Sequence, residues 1–255
     1  MKKLLYIITG VIGLMSCAEQ FSESYNIQGS SAISLPDDNK FYLKVMKDGN
    51  LTELNDIDSC VAVHGSFGFV GKLDSVRIAM ISMREGSELG MPLVLEKGDI
   101  KASIEKTGYK VSGTPLNEIL YDYIDKHIQF TNQRDELDHK ELQMMLDGYD
   151  DQAIYETLSV ANNQLMGRID SLETRFILEN LDNVLGPYAF QMITIGFNYP
   201  VLTPQIEEIM GKATDKFKND PYVSSYYAKA KEILARMKGE IDDEGDTATT
   251  EEPQP

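Results

Sequence analysis

From Tyr25 to Ser112 the apolar and polar positions follow a period of two. Phe41, Leu43 and Val45 alternate with Tyr42, Lys44 and Met46, and Asp48-Gly49 follows as a tight hairpin turn. Further strands are predicted at 58–63, 67–70, 76–83, 92–95, 100–104 and 109–112, with Gly, Asp or Asn in nearly every gap. Short strands so punctuated predict an antiparallel sandwich or an open barrel over residues 25–113. After Gly113 the period lengthens. Ile154, Leu158, Ala161, Leu165, Ile169, Leu172 and Phe176 form one apolar stripe on a long helix from about 152 to 180. Thr114-Pro115, Thr203-Pro204 and Asp220-Pro221 each offer a capping oxygen followed by a proline, the chemistry of a helix start. They divide the second half into helices at about 117–147, 152–180, 188–197, 204–218 and 221–238, with Gly239 as the stop. The expected fold class is α+β: an antiparallel β-sandwich followed by an α-helical region over 114–239.

Little chain separates the strand at 109–112 from the helix start at 114, so the first helix is expected to press against the sheet. The predicted contact sets the strand face carrying Ile100, Ala102 and Ile104, or its neighbours, against a helix stripe containing Ile119, Tyr123 and Phe130. Concave sites concentrate at such junctions, which makes this one the place to look for a ligand or partner; the competing reading is that the junction is simply core and the functional surface lies elsewhere.

The two ends of the chain read differently from its body. Lys2 and Lys3 precede a twelve-residue apolar stretch, Leu4 to Met15. As a helix it spans only about 18 Å, short of the roughly 30 Å of a bilayer core, so it reads as the h-region of a signal peptide over 1–16. It ends in Leu14-Met15-Ser16-Cys17, which resembles a lipobox, and Cys17 is the expected site of lipid attachment. Residues 17–24 would then be a tether, and the expected location is the outer membrane, lipid-anchored, facing periplasm or cell surface. Ordinary cleavage after Ala18, giving a soluble periplasmic product, is the competing reading. At the other end, 240–255 hold seven acids, no bases and almost nothing apolar, and are expected to be a disordered acidic tail.

The formal net charge is −17. Setting aside the seven tail acids and the two leading lysines leaves −12 for residues 4–239, which disfavours nucleic acid as a partner. The two cysteines are Cys17 and Cys60, with no C-x-x-C, so no disulfide framework and no thiol exchange are expected. Cys60, in the alternating run 59–63, reads as a buried, inert thiol. His64, His127 and His139 are too dispersed for a metal site, and Asp48-Gly-Asn-Leu-Thr52 lacks the Gly and the Glu that a calcium loop requires at its sixth and twelfth positions. Gly65, Gly68 and Gly71 fit no phosphate loop, and the acids Asp147, Asp150 and Asp151 read as a solvated helix end. No catalytic residue, metal ligand or cofactor site is expected.

Five short segments occur in a telling order: Tyr25-Asn-Ile-Gln-Gly29, Asp56-Ile-Asp-Ser59, Gly65-Ser-Phe-Gly-Phe-Val-Gly71, Leu95-Glu-Lys-Gly-Asp-Ile100 and Val111-Ser-Gly-Thr-Pro-Leu-Asn117. Together they resemble the N-terminal domain of unknown function 4369 of thioredoxin-like thiol:disulfide interchange lipoproteins of Bacteroides-type bacteria. The likeness covers roughly 25–122. The later helices, with Phe176 to Gly186 and Asp220-Pro-Tyr222, resemble the linker that in those proteins leads to thioredoxin. Where that domain with its C-x-x-C would begin, this sequence has the acidic stretch, so the family's redox activity transfers to no residue. The function expected is a non-catalytic binding or accessory module held to the membrane by its lipid, with an envelope protein as a candidate partner. The resemblance also implies an alternative, an accessory partner of a separate thioredoxin-like oxidoreductase. An enzyme of unrecognised type is the third reading.

Overall fold

The computed structural model describes residues 23–34, 38–47, 50–83 and 90–239. Cys17, the turn at Asp48-Gly49 and the stretch 240–255 lie outside the described residues.

Eight strands come first: β1 (Glu23–Ser31), β2 (Lys40–Lys47), β3 (Asn50–Val61), β4 (Ser66–Leu73), β5 (Arg77–Ser82), β6 (Met91–Leu95), β7 (Gly98–Glu105) and β8 (Gly108–Ser112). They form two four-stranded sheets, ordered β4-β1-β7-β8 and β3-β2-β5-β6. The predicted sandwich is therefore present, with one departure. β1 and β7 run parallel at the centre of the first sheet, with Ile27 beside Ile100 and Gly29 beside Ala102. A purely antiparallel reading assumes that strands near in sequence pair with each other, whereas this chain changes sheet four times in eight strands. One of those changes, from β3 to β4, is made by His64 and Gly65, both with positive φ, which bring Val63 and Ser66 back into register.

The period-two pattern supplies the core. Ile27, Phe69, Ile100, Ala102, Ile104 and Val111 line the inside of one sheet, and Phe41, Leu43, Val45, Ala79, Ile81 and Leu93 that of the other. Phe41 and Phe67 stack across the gap with ring centroids 4.0 Å apart.

Six helices follow: α1 (Pro115–Leu146), α2 (Asp151–Glu179), α3 (Leu185–Thr194), α4 (Pro204–Lys212), α5 (Asp215–Lys218) and α6 (Pro221–Met237). α1 and α2 make a long antiparallel hairpin, and every member of the α2 stripe except Ala161 is buried. The expected single helix at 204–218 is broken. Ala213 and Thr214 are extended, and the Thr214 hydroxyl accepts from Phe217 N, opening α5 as a separate turn. Thr203 and Asp220 cap α4 and α6 in the same manner. Thr114, expected to do so for α1, makes no such bond; the carboxylate of Glu96 takes that place, its Oε1 accepting from the backbone N–H groups of Leu116 (2.7 Å) and Asn117 (3.1 Å). Among the described residues no helix is long and apolar enough to cross a membrane.

Candidate functional site

The helical half covers one edge and part of the outer face of the β3-β2-β5-β6 sheet. β6 is an edge strand, and an edge presents unpaired backbone groups. Here α1 satisfies them. Asn117 Oδ1 accepts from Val94 N at 2.9 Å, while Asn117 Nδ2 donates to Val94 O and to Thr114 Oγ1, both at 2.8 Å. One turn later the Tyr121 hydroxyl donates to Pro92 O at 2.9 Å. The residue at 92 needs no partner for its own nitrogen, because proline has no N–H. Asn117 is fully buried, as are Val94 and Leu120, so α1 closes the gap between β6 and β8. Gly113 makes the approach feasible. It has φ +99, and a side chain there would run into Asp99 O.

This contact differs from the predicted one. Ile100, Ala102 and Ile104 face the interior of the sandwich, Ile119 is 43% exposed, Tyr123 stacks on Phe176 of α2 at 4.0 Å, and Phe130 lies under the Arg168 guanidinium. An apolar stripe is blind to polar side chains that are buried. The face of α1 that meets β6 is centred on a polar one, Asn117, whose partner is the strand's own backbone.

Beyond this lock a groove of about 490 Å³ opens between the halves. Its apolar floor is Val76, Leu116, Leu181, Val184 and Pro187, with Asp182, Lys216 and Asp220 at the rim. It adjoins a smaller hollow of about 250 Å³ that reaches Met46, Ile78 and Tyr188. Asparagines hold the wall at 180–185: Asn180 Nδ2 donates to Phe176 O, Asn183 Nδ2 to Asn180 Oδ1, and Asn183 Oδ1 accepts from Leu185 N. Behind it Phe190 meets Phe217 and Tyr226 edge-on, at 5.7 and 5.6 Å.

The ionisable groups at the rim are engaged locally. Lys216 Nζ donates to Asp182 O, Thr214 Oγ1 to Asp182 Oδ1, and Asp220 accepts from Tyr222 N and Val223 N. Burial pushes the Tyr188 hydroxyl up to about 12. Such a surface holds a ligand by shape and apolar burial, with fixed polar groups at its margin. A broader hollow of about 750 Å³ lies on the outside of the β4-β1-β7-β8 sheet among Gln28, Ser30, Lys101, Ser103 and Lys110; it is the solvated face that an open sheet presents to water.

The other residues singled out from sequence lie apart. His64 is in the β3–β4 turn, His127 Nε2 lies 3.1 Å from Glu173 Oε1, and His139 Nδ1 bonds Asp135 O. Among the described residues no group of three or more His, Cys, Asp or Glu could hold a metal. Asp150 caps α2 through Ala153 N, and Asp147 accepts from Gln143. Cys60 is half-buried, less enclosed than expected, because it sits on the edge strand β3; burial and the Asp58 carboxylate raise its thiol pKa against a bond from Gly68.

A two-sheet sandwich sealed by the first turns of a helix defines a scaffold class, an α+β unit with its groove at the seam. Residues 25–120 match the family model of the Domain of unknown function (DUF4369). The match runs past the last strand to Leu120 and so takes in Glu96 and Asn117. No curated protein and no solved structure matches the chain.

Proposed function

We propose that the protein is an exported lipoprotein, anchored to the outer membrane through acylated Cys17, whose body is a non-catalytic binding or accessory module with its ligand seat at the seam groove. The observation that carries the reading is the groove itself: an apolar floor inside one continuous core shared by both halves, with its rim acids already used as caps and hydrogen-bond acceptors. The anchor rests on the apolar stretch 4–15 and the motif Leu14 to Cys17.

The test has two arms. Metabolic labelling with an alkyne fatty acid should mark the protein and fail on Cys17→Ala; label persisting on that variant refutes the anchor. A photo-crosslinking residue at Val76, which is 38% exposed at the groove, should capture an envelope component in intact cells, whereas the same residue at Val70 on the opposite sheet should not. Equal capture at both refutes the seat. Capture of a thioredoxin-like protein at Val76 would support the alternative role beside a separate oxidoreductase.

A further inference from the structure

The hairpin of α1 and α2 is far longer than its attachment requires. α1 is 32 residues, about 48 Å, yet its buried residues end at Tyr123. Past Tyr123, α4 still reaches α2 through Gln205, which donates to Asp170 O and Glu173 Oε2, and nearer the free end α1 and α2 leave a groove of about 450 Å³. Leu137 and Met145 of α1 and Ile154, Tyr155 and Leu158 of α2 line it. Met145 and Tyr155 are 50% and 66% exposed, and Leu142, Leu146 and Tyr149 continue the apolar surface around the tip. Every charge lining the groove is negative: Asp138, Glu141 and Asp151. Residues 135–156 contain eight acids and one base, Lys140.

These charges decide what covers the groove. The hairpin from 115 to 179 holds fourteen acids and five bases, so the same hairpin of a second copy would be repelled. An anionic bilayer surface would be repelled for the same reason. An apolar trough between two helices, rimmed by carboxylates, fits a helix with one apolar face and lysines or arginines beside it. We propose that the free end of the α1–α2 hairpin docks a cationic amphipathic helix of a partner protein. This surface is separate from the seam groove and does not depend on the reading given for it.

The test uses the full-length protein in neutral detergent and a labelled 16-residue peptide of leucine and lysine, with the leucines spaced on one helical face. A permuted peptide of identical composition, with leucine and lysine alternating, carries the same charge without that face. Anisotropy titration should show the amphipathic peptide binding at least tenfold more tightly than the permuted one. Met145→Lys and Tyr155→Lys, both at exposed positions, should each weaken it at least tenfold with unchanged thermal unfolding. Neutralising the acidic stretch with Asp242→Asn, Asp243→Asn, Glu251→Gln and Glu252→Gln should leave the preference intact. Equal binding of the two peptides, indifference to Met145→Lys and Tyr155→Lys, or loss of the preference on neutralising 242–252 each overturns the proposal. Sedimentation showing self-association without peptide, abolished by Met145→Lys, also overturns it, since a second copy would then be the occupant.

Discussion

Gly29 lies directly opposite Phe67 across β1 and β4, and the phenyl ring fills the space where a side chain at 29 would begin. The same strands repeat the arrangement in reverse, with Tyr25 over Gly71. The first and third of the five sequence segments are thus the two halves of one contact. Gly29→Ala forces Phe67 off its stack with Phe41 and should cost about 1–3 kcal/mol, as overpacking does. Denaturant unfolding of Gly29→Ala, Phe67→Leu and the double variant checks this. The double variant should be more stable than the sum of the single losses predicts, and strict additivity would contradict the contact.

Asn117→Leu keeps the bulk of the side chain and removes its bonds to Val94. It leaves a buried N–H and a buried C=O without partners, at about 1–3 kcal/mol each. The midpoint of thermal unfolding should fall by several degrees, at about 2–4 °C per kcal/mol for a chain of this size. Asn117→Asp should do no better, since it points a carboxylate oxygen at Val94 O. A variant melting like the parent would show that the seam does not depend on this amide.

Three buried tyrosines predict alkaline sensitivity. Burial raises Tyr121 and Tyr123 as well as Tyr188, the last to about 12, against about 10 in the unfolded chain. Below pH 10 both states keep the proton and stability is intact. Between pH 10 and about 12 only the unfolded chain releases it, so stability falls, by about 2–3 kcal/mol for Tyr188 alone. Urea unfolding from pH 9 upward should show the decline, and Tyr188→Phe should make it shallower.

Cys60 should react with a thiol reagent in the folded state, but slowly. In the Cys17→Ser protein, where it is the one thiol, labelling at pH 8 should be slower than in urea and should accelerate as pH rises, because its raised pKa limits the thiolate. Labelling at the rate of the unfolded chain would place the thiol in open solvent.

Much of this architecture was legible along the chain. Alternation located seven of the strands, and the stripe of α2 fell where its spacing put it, because both signals come from burying one face of an element. What escaped were contacts made by polar or absent side chains. Glu96, in the turn between β6 and β7, replaces Thr114 as the cap of α1 by accepting from Leu116 N, twenty residues further on. Asn117 shares its face with Leu120 and Tyr121, but an asparagine scores as solvent-facing unless its backbone partner is known. The break before α5 needed only Thr214, whose hydroxyl competes with the helix for the next free N–H. The groove floor gathers Val76, Leu116 and Pro187 from three separate regions, and no local spacing brings them together.

The parallel pairing of β1 with β7 bears on the order in which the fold can form. Asn26, which bonds Asp99 across that pair, lies 73 residues before it, and the sheet has no centre until both strands are present. Emerging from the ribosome, β1 finds neither neighbour close behind: β4 and β7 both follow the complete β2–β3 hairpin. The loop-closure entropy of that long-range pairing must be met before its contacts form, which makes this half intrinsically slow to close. The local α1–α2 hairpin, synthesised after all eight strands, has no such wait and can form ahead of the sheets it will seal.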